Sequence, residues 1–288
     1  GGRARGGHGS RKRAGPAPRP GGGGPGGGPC PGSAIGVPHR LPSSGPPAVG
    51  GRLWPVLPDR GGGRRTVIPD APQVRRDLVR LARHAESLGL VSYAQGNLSA
   101  RILGTDYVLI TPSGVPYSEL EPQDIVTVDL AGRPVHGALE PSSETIVHVM
   151  TYQAYPQVGA CVHVEPPYLN ALAVANVPLP NVLGNFVYLF GGQGLGVVPA
   201  LCSGTREFAE RSVQALAHHF GVVWKNHGLF CVGQDLGHAF NRCVAAEQAA
   251  RVYYLALLLR QTSPDLIPRD VEEEMVEIAR ARGWARPL

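Results

Sequence analysis

The chain has 288 residues, 43% hydrophobic and 17% charged, with 39 Gly, 28 Pro, five Cys and a formal net charge of +5. That charge averages two unlike parts: residues 1–65 hold 11 Lys/Arg against the single acid Asp59, while residues 66–288 hold 16 Lys/Arg against 21 Asp/Glu. The body is therefore acidic, which argues against a nucleic-acid partner, and no apolar run reaches the roughly 18 residues that a membrane-spanning helix needs.

Residues 1–65 include stretches such as GGGGPGGGPCPG, which cannot bury enough apolar surface to offset chain entropy. They read as a disordered, solvated tail, with no secretory leader pattern at its start. The body, 66–288, reads as one domain. Val74, Leu78, Leu81, Ala82, Ala85 and Leu88 share one helical face, with Gly89 as a stop. Short β-type runs follow at 107–111, at 125–128 with a turn at Ala131-Gly132, and at 159–164. Helical patterns alternate with them at 143–154, 167–176, 205–219 and 236–262. Runs at 222–224 and 229–232 flank Asn226-His227-Gly228, and 271–282 reads as a closing helix. Such alternation predicts an α/β layer structure. The scattered, odd number of thiols, with no CxxC spacing, fits a reducing compartment such as the cytoplasm.

Three turns rich in Gly, Ser and Asn stand out: Gly96-Asn97-Leu98-Ser99, Thr111-Pro112-Ser113-Gly114 and Pro141-Ser142-Ser143-Glu144. Each offers backbone N–H groups beside hydroxyl or amide donors, the equipment of an anion site, especially where a helix follows directly, as after Ser142. The plainer reading is a set of turns and N-caps, with Ser142 as an N-cap and Glu144 in the first helical turn, where it favours the helix dipole. His163 and Glu165 alternate along an expected strand, so their side chains share a face, and His227 sits in a turn before Gly228. Two imidazoles and a carboxylate suit a divalent transition metal, against the alternative of hydrogen-bonded core histidines. His84, His136, His148, His218, His219 and His238 read as helix-surface or turn residues without a role.

The ordered series GNLS, TPSG, PSSE, VHVE and NHG resembles the class II aldolase/adducin family from about residue 72 to 262. The resemblance implies a three-layer αβα fold with a mostly antiparallel central sheet covered by helices, and a homotetramer with active sites at subunit boundaries. It implies a phosphate site at Gly96, Asn97, Ser113, Gly114, Ser142 and Ser143, and a catalytic acid/base at Glu144. A metal site would comprise Glu144, His163, Glu165 and His227, with Glu165 standing where the family pattern has a second His. Zinc is the first expectation, with manganese or iron(II) as alternatives. A proton-donating Tyr of the family falls near Asn185, with Tyr188 as the nearest substitute, though Tyr188 also reads as a half-buried aromatic. The implied activity is cleavage of a small phosphorylated hydroxy-carbonyl compound through an enediolate. Competing readings are an epimerase or dehydratase on the same site, an iron oxygenase or decarboxylase of the same fold, and an adducin-like binding module without turnover.

Overall fold

The computed structural model describes residues 1–2, 71–259 and 264–285. The segment expected to be a disordered tail lies outside the described residues except for its first two, and so does the end of the helix expected over 236–262. Helix α1 (Pro72–Ser87) starts on a proline at its first position, where no N–H is missed. It turns Leu78, Leu81, Ala82 and Ala85 inward, and closes at Gly89, whose φ is +68°.

Among the described residues eight strands form one sheet: β1 (Asn97–Arg101), β2 (Tyr107–Ile110), β3 (Val126–Asp129), β4 (Pro134–His136), β5 (Ala160–Val164), β6 (Gly196–Val198), β7 (Gly221–Trp224) and β8 (Gly228–Gly233). Their order is β4-β3-β2-β1-β5-β8-β7-β6. Every neighbouring pair is antiparallel except β6 with β7. Between and after them come α2 (Thr145–Ala154), α3 (Pro167–Val174), α4 (Gly184–Phe190), α5 (Arg206–Leu216), α6 (Leu236–Leu259) and α7 (Arg269–Ala281). The layers are as expected: helices on both faces of a mostly antiparallel sheet. No described helix is long and apolar enough to cross a membrane.

Strand alternation sorts the side chains between the two faces. Leu98 and Ala100 of β1, Val162 and Val164 of β5, and Leu229 and Cys231 of β8 enter one core with α1, α3, α4 and α6. Four alanines of α6, Ala239, Ala246, Ala249 and Ala250, are fully buried there. Their small side chains let a long helix lie close to the sheet. Cys161, Phe230, Val232, Val222 and Trp224 face the other way, toward α2 and α5. Asn97, Ser99 and His163 share that second face, where Asn97 pairs with His163 and Ser99 with Cys161 across the β1–β5 ladder.

Four elements depart from the sequence reading. β1 occupies what reads as a turn, because its polar residues Asn97 and Ser99 are buried at 4% and 0% exposure and bond to α2. The short β4, β6 and α4 also go unseen in the sequence. In addition, α2 begins at Thr145, so Glu144 is its N-cap residue and Ser142 precedes the helix.

Candidate metal centre

The site lies where the second face meets the N-terminus of α2. His163 comes from β5, His227 from the β7–β8 turn and Glu144 from the cap of α2. One ligand atom from each lies within 4.8 Å of the others, the only such group of three His, Cys, Asp or Glu among the described residues. Two features of the turn allow this. Asn226 adopts a φ of 60°, a left-handed conformation that Asn tolerates. A Cβ on Gly228 would stand 2.4 Å from the Val164 carbonyl and 2.7 Å from the His163 ring, so only glycine lets the two strands close here. The turn is also held by Asn170, whose Nδ2 donates to the His227 carbonyl at 3.1 Å.

The protonation pattern suits a cation. His163 Nδ1 stands 3.1 Å from the Leu229 carbonyl, which can only accept, so Nδ1 carries the hydrogen. Nε2 of the neutral ring then presents a lone pair to Glu144 Oε2 at 3.5 Å. Burial lowers the pKa of His163 to about 4. His227 is also lowered to about 4, chiefly by burial, with His163 lowering it further and Glu144 opposing. Burial raises Glu144, against the pull of His227, Asn97 and Ser203. Glu144 Oε1 is buried with no hydrogen-bond partner, 3.3 Å from His227 Nε2. Two neutral imidazoles meeting a buried carboxylate fit a divalent metal, and the backbone bond to His163 is the kind of outer contact that orients a ligand imidazole. Trp224 walls the site, its ring 4.6 Å from that of His163 and 5.2 Å from that of His227.

The same pocket, about 190 Å³ in volume, is lined by all three sequence turns. Gly96 and Asn97 bring the first. A φ of +73° and a Cβ position 2.6 Å from the His163 carbonyl make residue 96 a glycine by necessity. Ser113 and Gly114 bring the second, and Ser142 and Ser143 the third. The last two turns are strapped together by an antiparallel bridge between Pro112 and Pro141, with Ser113 N–H donating to the Glu140 carbonyl at 2.9 Å. Among the described residues no Lys or Arg lines the pocket, and the groups that could meet an anion there are N–H dipoles and hydroxyls.

Glu165 borders the pocket but stands outside the three-residue group. It lies one residue beyond β5, where its N–H leaves the ladder to bond the Leu90 carbonyl at 2.9 Å, so the strand alternation no longer aims its side chain. Burial, and next the Glu144 charge, raise its pKa to about 7. Tyr188 is elsewhere. It packs edge-on against Trp284, centroids 5.7 Å apart, and lines a different cleft together with Asn185.

Two participants escape the sequence reading. Ser203, ahead of α5, lines the pocket, and its Ser-Gly-Thr setting resembles the other turns. His148 lies on no surface: it is completely buried and bonded to Ser99 and Asn97. Its place one helical turn after Glu144 was the available signal.

Residues 76–254 match the family described as Class II Aldolase and Adducin N-terminal domain. That is more than half of the chain, and the chain belongs to this family. A 5-methylthioribulose-1-phosphate/5-deoxyribulose-1-phosphate aldolase of Rhodospirillum rubrum is 31% identical over 73% of this chain and 92% of its own. An L-ribulose-5-phosphate 4-epimerase of Salmonella paratyphi A is 33% identical over 63% of this chain and 83% of its own. Among solved structures, an L-fuculose 1-phosphate aldolase superposes with a TM-score of 0.68 at 29% identity, over 73% of this chain and 98% of its own.

Proposed function

We propose that the chain is a divalent-metal-dependent aldolase that cleaves a small ketose 1-phosphate, with zinc as the first candidate metal. The observation that carries this is the meeting, in one pocket, of the Glu144–His163–His227 group with the three donor-rich turns. The aldolases named above act, by their names, on ketose 1-phosphates. A metal held by His163, His227 and Glu144 would polarise the substrate carbonyl and stabilise the enediolate left when the carbon–carbon bond breaks.

The chain's own groups supply the rest. The N–H groups and hydroxyls of Gly96, Asn97, Ser113, Gly114, Ser142 and Ser143 hold the phosphate and fix the substrate's register. Glu144 is the acid/base. Its Oε2 accepts from Asn97 Nδ2 at 2.7 Å, which leaves Oε1 to close the metal group without substrate and to carry the proton once substrate oxygens take that place. Burial raises its pKa above the ordinary carboxylate range, the direction that acid/base work requires. Glu165, at the rim, serves as a further ligand or as an acceptor for substrate hydroxyls. Tyr188 would contribute only across a subunit boundary, within the homotetramer that the family resemblance implies, and we place the protein in the cytoplasm.

The test is to incubate the zinc-loaded chain with ketose 1-phosphates and follow dihydroxyacetone phosphate by a coupled reduction. Product that disappears with chelator and with Glu144→Gln supports the proposal. Conversion to an isomeric ketose phosphate without an aldehyde fragment would favour a 4-epimerase. That reading draws on the epimerase relative. Oxygen uptake with bound iron would favour an oxygenase, and neither metal nor turnover would favour a binding module.

A further inference from the structure

Behind Glu144 runs a chain of buried polar groups on the α2 side of the sheet. Tyr152, Ser99, His148, Asn97 and Glu144 are each exposed by 4% or less. Tyr152 OH lies 2.8 Å from Ser99 Oγ, which lies 2.6 Å from His148 Nδ1. His148 Nε2 is 2.6 Å from Asn97 Oδ1, and Asn97 Nδ2 donates to Glu144 Oε2 at 2.7 Å. The direction of every bond follows from its end. A carboxylate accepts, so the Asn97 amide turns its nitrogen to Glu144 and its oxygen to His148. That oxygen accepts only, so His148 Nε2 carries a hydrogen. In a neutral ring Nδ1 is then the acceptor, filled by the Ser99 hydroxyl, which in turn accepts from Tyr152. Each donor points toward Glu144. The ring is fixed edge-on to Phe230, centroids 5.1 Å apart, and burial holds its pKa at about 3, so it stays neutral.

We propose that His148 is a positioning residue: its Nε2–H locks the Asn97 amide in the one orientation that presents N–H, and not oxygen, to Glu144. Without that hydrogen the amide can turn its oxygen to the carboxylate, which then loses its donor and its fixed place in the metal group. Asn97 also lines the pocket, so the second N–H of the same amide can serve the phosphate, and one amide orientation serves both halves of the pocket. This proposal rests on the reading of Glu144 as metal ligand and acid/base.

The test compares His148→Gln with His148→Asn in the full chain, using Co2+ as the probe metal. The Gln amide nitrogen reaches the position of Nε2, while that of Asn stops near Nδ1, so two similar amides differ only in reaching Asn97. We expect the Gln variant to bind Co2+ within about threefold of wild type and the Asn variant to bind roughly 10–100-fold more weakly, the usual cost of losing an outer-shell partner. In the Asn variant kcat should fall and KM for the phosphorylated substrate should rise together, because one amide orientation serves both halves of the pocket, while the Gln variant should keep both near wild type. Equal Co2+ affinity in the two variants overturns the proposal. Should the Asn variant fold poorly, His148→Leu fills the same volume without the donor. A folded Leu variant with wild-type Co2+ affinity overturns the proposal as well. If wild type cleaves no ketose phosphate yet the Gln–Asn contrast in Co2+ affinity holds, the proposed reaction fails and the role of His148 stands.

Discussion

The two faces of the sheet are built on different principles. Toward α1, α3, α4 and α6 the strands present Leu, Val and Ala to alanine-rich helices, and the buried charges there, Arg75 and Arg242, send donors to backbone carbonyls. Such a face tolerates no vacancy but has no chemistry to offer. Toward α2 and α5, the face with the aromatic wall of Trp224, Phe208 and Phe230 also holds Asn97, Ser99, His148, His163 and Glu144. There Asn97, Ser99 and His148 are each satisfied by the next, at a desolvation cost of about 1–3 kcal/mol for any left out, and Glu144 Oε1 is left without a partner. The contrast teaches that stability and function are assigned to opposite sides of the same strands. Leu98 serves one face and its neighbours Asn97 and Ser99 the other.

The sharpest way to break this division is to remove a ligand. His227→Ala should take bound metal from near stoichiometric to a trace and lower turnover by about 10³-fold or more. The melting temperature of the metal-free chain should hardly change, because this ring is only partly buried. Elemental analysis of chelator-free preparations reads the first quantity, and full metal occupancy in the variant would remove His227 from the site. The converse substitution belongs on the apolar face. Leu78, fully buried in α1, should on change to Ala destabilise the chain by about 3 kcal/mol. Denaturant titration checks that loss, while Co2+ affinity should stay within about twofold of wild type. A large affinity change would mean that the faces are coupled through the sheet.

The sequence made the apolar face more legible than the other. Helices α1, α3, α5 and α7 follow from periodicity, and β5, β7 and β8 from their apolar runs. Strand β1 was obscured because the residues that make it functional, Asn97 and Ser99, are residues that favour turns. His148 was misassigned for a related reason. Helix α2 buries Thr145, Val147, His148, Val149, Thr151 and Tyr152, so it lacks the polar face against which a buried histidine would stand out. The three turns are legible because they carry distinctive residues in order, and the structure brings them to one pocket. Glu165 was placed by strand alternation that ends one residue too soon, and Tyr188 belongs to a helix, α4, that no periodicity announces in seven residues.

A smaller effect tests the neutral state of the buried relay. His148 has a folded pKa of about 3 against 6.5 when exposed. As pH falls below 6.5 the unfolded chain takes up a proton that the folded chain refuses, so stability is lost at up to about 1.4 kcal/mol per pH unit. His163 and His227, both near 4, act in the same direction. Glu165, raised to about 7, acts in the opposite one. These contributions are common to wild type and His148→Gln, so their difference isolates one ring. Between pH 8 and pH 5 the metal-free variant should gain about 2 kcal/mol relative to wild type, read from denaturant midpoints. Parallel losses in the two proteins would mean that His148 is charged inside the fold.

The smallest expected change concerns Glu165, where the family resemblance implies a second His. Glu165 sits beside Gly228, near enough that a Cβ there would meet its Cγ at 3.2 Å, yet its carboxylate is outside the three-group set. Near pH 7 it is divided between a neutral form, a poor ligand, and an anion opposed by Glu144. An imidazole at this position would be neutral, would remove that repulsion, and could add a third nitrogen to the group. Glu165→His should therefore bind zinc about tenfold more tightly at pH 7.5, close to 1.4 kcal/mol, with little change in melting temperature once metal is removed. Competition with a chromophoric chelator measures it. An unchanged affinity would separate residue 165 from the cation and leave its carboxylate facing the substrate. The polar face would then carry a complete three-group metal site and, beside it, a carboxylate free to choose among substrate hydroxyls.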